Sequence, residues 1–257
     1  MDYIKQKKRF YMSNLHEIFL KNSKNVIDKW IHYLEIYERH FEKYVGKEVL
    51  ILEIGVSLGG SIHMWREYFG DKAIIVGIDI EPSCKRFEDP DNRVFVEIGD
   101  QSDTAFLDMV LERYGRPDVV IDDGSHVMRH LVASFGHLYP RMAETGTYLA
   151  EDLHTCYWPG FFEGGLKQEG SFMELVKDKL DEINAVHSKG QLSEDFARQT
   201  QSICAYDSVV VFEKKPQGRR FHIQTGGMRE LDSLVIGDFR PGSFNINGYT
   251  QNFGTPV

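Results

Sequence analysis

Between residues 26 and 45 the large apolar side chains of Ile27, Trp30, Ile31, Leu34, Tyr37, Phe41 and Tyr44 recur, with Lys29, Glu35, Arg39 and Lys43 among them. A recurrence every three or four positions predicts an amphipathic helix. A shorter helix is predicted ahead of it over 13–20, where Ser13 offers a capping oxygen and Leu15, Ile18 and Phe19 share a face. The texture then changes. Residues 49–52, 73–76, 94–96, 119–121 and 147–150 are short, mostly apolar runs separated by segments of helical length. Such runs read as strands buried on both faces, and their alternation with helices predicts a parallel sheet covered on both sides. After a polar stretch and a helix expected over 172–186, the runs 202–205 and 209–212 lie too close together for a crossover and are expected to pair as an antiparallel hairpin.

The predicted fold class is therefore α/β: helices first, then five crossover-linked strands, then a hairpin. Residues 1–45 are expected to form a helical cover and 46–215 the core. Residues 216–257, rich in Gly, Asn and Arg with little period, are expected to be a lid or an oligomer arm.

Composition narrows the function. With 257 residues and 42% hydrophobic content the chain can bury a sizeable core. A formal charge of −9 excludes the basic face that nucleic-acid binding needs, and the one basic run, 5–9, reads as a solvated arm. The cysteines, Cys84, Cys156 and Cys204, are odd in number and lack paired spacing, which suits free thiols in the cytoplasm. No run approaches the roughly 18 apolar residues of a membrane span. A soluble homo-oligomer is expected.

The first strand leads into Glu53-Ile54-Gly55-Val56-Ser57-Leu58-Gly59-Gly60-Ser61. A glycine-rich turn between strand and helix brings backbone N–H groups close to a ligand. A dinucleotide turn would place its second glycine where Ser57 stands, and Glu53 just ahead would repel a pyrophosphate and attract an amine. The second strand ends in Asp79, suited to the hydroxyls of a ribose, and the third runs into Asp100, suited to the amino group of adenine. S-adenosylmethionine carries an amine, a ribose and an adenine on one molecule. The expected cofactor residues are Glu53, Gly55, Ser57, Gly59, Ser61, Asp79, Asp100 and Asp122, the last with holding its own loop as the alternative role.

The fourth strand ends in Asp122-Asp123-Gly124-Ser125-His126 and the fifth in Glu151-Asp152. Neighbouring parallel strands present these ends side by side, where open α/β sheets bind ligands. Carboxylates crowded there need a compensating charge, and hard oxygen donors suit Mg²⁺. His126, on the same loop, is placed to accept a proton. His154, Tyr157 and Trp158, just beyond the fifth strand, are expected to line the acceptor pocket.

The order of elements, with E-x-G-x-x-x-G-G after the first strand, resembles the class I methyltransferases over residues 45–215. The resemblance implies a seven-stranded, mostly parallel Rossmann-like sheet of order 3-2-1-4-5-7-6 with strand 7 antiparallel. The local set DDGSH and EDLHT is similar to the metal-dependent sugar O-methyltransferases of macrolide biosynthesis and to cephalosporin hydroxylase-like proteins. Carried onto this chain, that similarity implies Asp123, Glu151 and Asp152 as Mg²⁺ ligands and His126 as the base. The acceptor is then a hydroxyl of a sugar or glycosylated natural product. The alternatives are a Mg²⁺-dependent catechol-type phenol O-methyltransferase and, from another class, a non-catalytic S-adenosylmethionine-binding module.

Overall fold

A computed structural model describes residues 14–220, 241–246 and 249–254. Ser13 and the basic run 5–9 lie outside the described residues. The chain divides into two compact units, Met1–Gln217 and Gly218–Val257.

In the first unit, helices α1 (Asn14–Lys21) and α2 (Tyr33–Phe41) precede strand β1 (Leu50–Ile54). There follow α3 (Gly60–Phe69), β2 (Ile74–Asp79), β3 (Val94–Ile98), α4 (Thr104–Tyr114), β4 (Val119–Asp122), α5 (Met128–Leu138) and β5 (Thr147–Ala150). Helices α6 (Phe172–Glu182) and α7 (Asp195–Gln199) lead to the hairpin β6 (Thr200–Tyr206) and β7 (Val209–Lys214). The strands form one seven-stranded sheet of order β3-β2-β1-β4-β5-β7-β6, in which β7 runs antiparallel to both neighbours.

Side-chain alternation divides the sheet into two faces. Ile51, Ile75, Ile121, Leu149 and Val211 pack under α1, α2 and α3, against Tyr37, Phe41, Trp65 and Phe69. Leu52, Val76, Val120, Tyr148 and Phe212 pack under α4, α5 and α6, against Leu107, Leu131, Phe135 and Phe172. Burial on both sides is why the central strands are so continuously apolar.

The strands stand within three residues of where periodicity placed their ends, and β5 matches its expected bounds. The helix expected over 26–45 is corrected: residues 22–32 run without helical structure and α2 begins only at Tyr33. Ile27, Trp30 and Ile31 have helical spacing, but Trp30 and Ile31 are exposed and Ile27 packs against α3. Tertiary contacts decide this segment over local pattern. The carbonyl of Val26 lies so close to Gly60 that a Cβ there would overlap it.

In the second unit, where no element was predicted, β8 (Pro241–Ile246) pairs antiparallel with β9 (Tyr249–Gly254).

Candidate active site

The parallel ladder continues just past the strand ends. Gly55 N donates to Ile78 O (2.8 Å), Asp123 N to Ile54 O (2.9 Å), Glu151 N to Asp122 O (3.1 Å) and Gly99 N to Asp79 O (2.9 Å). These bonds hold four loops in register at the carboxyl edge of the sheet. Gly55, at φ 94°, sits so near the β4 loop that a Cβ would overlap the carbonyl oxygen of Asp123.

Between these loops lies a cavity of about 210 Å³ lined by Gly55, Ser57, Asp79, Asp100, Gln101, Asp123, Gly124 and His130, among others. Asp79 Oδ2 accepts from Val56 N and Ser57 N, both at 2.9 Å, and its Oδ1 from Glu81 N at 2.8 Å. A carboxylate offers about four acceptor positions, so the glycine-rich turn is fastened to β2 while capacity remains for a ligand hydroxyl. Asp100 Oδ1 accepts from the backbone and hydroxyl of Ser102, both at 2.8 Å, and these bonds hold its carboxyl below the usual carboxylate range.

Four residues expected to touch the cofactor stand behind the cavity wall. Gly59, at φ 75°, turns the chain into α3 against the Phe87 ring, and Ser61 is buried beside Glu53. Asp122 is fully buried on the α5 face, accepting from Ser134 Oγ (2.7 Å), Tyr148 Oη (2.6 Å) and Gln101 Nε2 (3.1 Å). The alternation of a strand sends Asp122 and Asp123 to opposite faces, so Asp122 holds the loop and only Asp123 joins the cavity. Burial pushes the Asp122 carboxyl up, against the pull of these three donors. Glu53 is the fourth: it is fully buried, Trp65 Nε1 donates to its Oε1 at 2.8 Å, and its Oε2 has no partner. Burial raises its pKa to about 7, with Lys29 pulling the other way. That oxygen has room for one more donor but lies behind the wall, while Asp79 and Asp100 on the wall fit the nucleoside end of S-adenosylmethionine.

Asp123 and Glu151 share the α2 face of the sheet edge. Lys29, from the segment 22–32, inserts between them and its Nζ pairs with Asp123 Oδ2 and Glu151 Oε1. Its side chain is only 4% exposed. Burial alone would lower the lysine pKa, but Glu151, Asp123 and Glu53 outweigh it and hold the ammonium well above its usual range. Glu151, itself raised to about 8 by burial and by the charge of Asp123, also receives the Tyr37 hydroxyl. Asp152 has a left-handed backbone, φ 55°, which breaks the alternation and swings its carboxylate back to the same site. Its Oδ1 accepts from Tyr33 Oη at 2.7 Å.

His126 completes the cluster. Its Nε2 is 3.8 Å from Asp123 Oδ1 and 3.8 Å from Asp152 Oδ2, and its buried Nδ1 has no hydrogen-bond partner. Asp123, His126 and Asp152 offer ligand atoms all within 4.8 Å of one another. The two carboxylates of that group, as hard oxygen donors, fit a divalent ion. Of the three expected ligands, Asp123 and Asp152 thus stand together, while Glu151 is engaged by Lys29 and Tyr37.

A second cavity, about 480 Å³, is lined by Asp28, Lys29, Trp30, Ile31, Tyr33 and Asp152. The His154 ring lies 5.9 Å from Trp30 and 4.9 Å from Trp158, and Tyr157 and Trp158 are exposed. Lys29, Trp30, Tyr33, Tyr37, Gln101 and His130 were not singled out by sequence. Lys29, Trp30 and Tyr37 carried a helical signal but none for chemistry.

The sheet order, its reversed strand β7 and the acid-lined carboxyl edge define a class I methyltransferase fold. Within that class the chain is related to sugar O-methyltransferases of natural-product pathways. It is 40% identical over 211 residues to the mycinamicin VI 2''-O-methyltransferase of Micromonospora griseorubida, a match covering 77% of this chain and 52% of the relative. It is 34% identical over 200 residues to the 8-demethyl-8-alpha-L-rhamnosyl tetracenomycin-C 2'-O-methyltransferase of Streptomyces olivaceus, covering 73% and 52%. Among solved structures, MycE methyltransferase from the mycinamycin pathway, in complex with Mg, SAH and mycinamycin VI, superimposes with a TM-score of 0.71 at 33% identity, covering 79% of this chain and 54% of that one. The chain thus spans about half the length of these relatives. No family model matches it.

Proposed function

We propose that this chain is an S-adenosylmethionine- and Mg²⁺-dependent O-methyltransferase acting on a hydroxyl of a sugar or glycosylated natural product. One observation carries the reading. His126 Nε2 stands equally far from Asp123, which lines the first cavity, and from Asp152, which lines the second, a position that suits a base acting between the two.

S-adenosylmethionine supplies an electrophilic methyl group, and a divalent ion makes a neutral hydroxyl easier to deprotonate. The chain's residues do the rest. Asp79 accepts from the ribose and Asp100 from the adenine, with Glu53 buried behind the turn that receives the amine end. Asp123 and Asp152, with Glu151, would hold the ion. His126 takes the hydroxyl proton at Nε2, the ring nitrogen that faces both carboxylates. Trp30, His154 and Trp158 offer ring faces to an acceptor, suited to the C–H faces of a sugar and to an apolar aglycone.

The relatives that methylate a rhamnosyl tetracenomycin and mycinamicin VI support this acceptor class. The reading includes a homo-oligomer in the cytoplasm, which sedimentation and cell fractionation test; Cys84, Cys156 and Cys204 are free thiols. The deciding experiment incubates the protein with labelled S-adenosylmethionine, Mg²⁺ and a panel of rhamnosides, macrolide glycosides and catechols, followed by product mass spectrometry. Methylated glycosides are expected. Methylated catechols alone would overturn the acceptor class, and cofactor binding without turnover of any acceptor would favour a non-catalytic module.

A further inference from the structure

The acidic cluster already holds a cation, and that cation belongs to the chain. Lys29 Nζ takes Asp123 Oδ2 and Glu151 Oε1, and Tyr37 takes Glu151 Oε2. With Lys29 in place, only Asp123 Oδ1 and Asp152 Oδ2 face His126. An octahedral divalent ion draws on several oxygens at once, and an ammonium wedged between two of its ligands repels it in a poorly solvated setting. The two cations compete for the same carboxylates.

Lys29 also has somewhere to go. It lines the second cavity with Trp30 and Asp152, and it sits in a segment without helical hydrogen bonds. That segment is fastened on either side, by Val26 and Ile27 against Gly60 and by His32 Nε2 to Asp207 O at 3.3 Å. Withdrawal of the side chain into the cavity leaves both fastenings intact.

We infer that Lys29 is a resident counter-ion which a divalent ion must displace, so that ion entry expels the ammonium into the second cavity and alters the surroundings of Trp30. Resting on the metal reading above, it adds an order of events: the ion enters first, and the acceptor cavity takes its working shape only then. It also makes metal affinity a property of the segment 22–32. While Lys29 occupies the site only a fraction of molecules is ready for the ion, and the apparent affinity is reduced by that fraction.

The test uses the full chain and Mg²⁺ alone. Calorimetry compares Mg²⁺ affinity in the wild type, Lys29→Met and Lys29→Gln, with circular dichroism to verify folding. Tryptophan emission is followed during the same titration of the wild type, with Trp30→Phe identifying the source of the signal. The expected result is affinity at least about tenfold tighter in the folded Lys29 variants, the size of the penalty when about a tenth of molecules is competent. The wild-type emission should change in step with Mg²⁺ binding and lose that change in Trp30→Phe. The emission measurement needs no Lys29 variant, so it stands even if both variants unfold. Equal or weaker binding by folded variants, or binding to the wild type with Trp30 silent, would overturn the exchange and leave the metal reading standing. Absence of Mg²⁺ binding in the wild type and in the folded variants would overturn both.

Discussion

His126 Nε2 and Asp152 Oδ2 face each other at 3.8 Å across the candidate site, and both residues hold left-handed backbones, with φ of 55° in each. Each left-handed residue carries a backbone cost that its surroundings must offset. His126→Ala is expected to lose about 10²–10⁴-fold in turnover, a general base's usual share, with S-adenosylmethionine affinity retained. His126→Gly should be equally inactive but more stable than His126→Ala by about 1 kcal/mol, because glycine carries no left-handed penalty. Steady-state kinetics and thermal melts of the two variants check both halves; turnover near wild type in either would make His126 a packing residue.

Asp79 fastens the glycine-rich turn and in the proposed function also binds the ribose, so its removal should show two effects. In Asp79→Ala the amides of Val56 and Ser57 lose their acceptor, and the ribose loses a charge-assisted bond of about 1.5–3 kcal/mol. S-adenosylmethionine affinity should fall at least about tenfold, together with a lowered melting temperature. Asp79→Asn keeps one amide-accepting oxygen and is expected to recover stability better than affinity. Calorimetry that finds unchanged cofactor affinity in a folded Asp79→Ala protein would remove the ribose assignment.

Chelation separates metal from cofactor. EDTA is expected to abolish turnover and Mg²⁺ to restore it. Because Asp123 borders the cofactor cavity as well as the acidic cluster, S-adenosylmethionine affinity should shift on chelation, but by less than about tenfold, since the nucleoside contacts at Asp79 and Asp100 are untouched. Full activity in exhaustively chelated protein would leave the carboxylate cluster without its proposed task.

Away from the site, Lys214 links stability to pH. Its side chain is buried, its Nζ donates to Tyr139 O at 2.7 Å, and burial, helped by the nearby charge of Arg116, lowers its pKa to about 8 from 10.5. The folded state therefore binds fewer protons than the unfolded chain between about pH 8 and 10.5, and stability attributable to this group rises with pH across that window. Below pH 8 the cost of the buried charge is fully present. Urea unfolding of wild type and Lys214→Met should show the wild type gaining up to about 3 kcal/mol relative to the variant across the window. A constant difference would mean that Lys214 keeps an ordinary pKa.

The sequence alone determined the strands and the edge at which chemistry collects. Apolar runs such as 119–121 announce burial on both faces, and polar groups at their ends can only lie where the sheet stops, so the sites after 54, 79, 98, 122 and 150 were legible as one carboxyl edge. Tertiary structure decided which member of each acid pair faces the site. Asp122 and Asp123 look alike in sequence, and the pleat sends one beneath α5 and the other into the cavity. It also decided what accompanies the acids. Lys29 lies 94 residues from Asp123 and 122 from Glu151 in the chain, and helical spacing at Ile27, Trp30 and Ile31 suggested one more turn of helix there. Periodicity records only which face of a segment is apolar. An ammonium held by two distant carboxylates is a contact that exists only once the chain has folded, and its local pattern carries no trace of it.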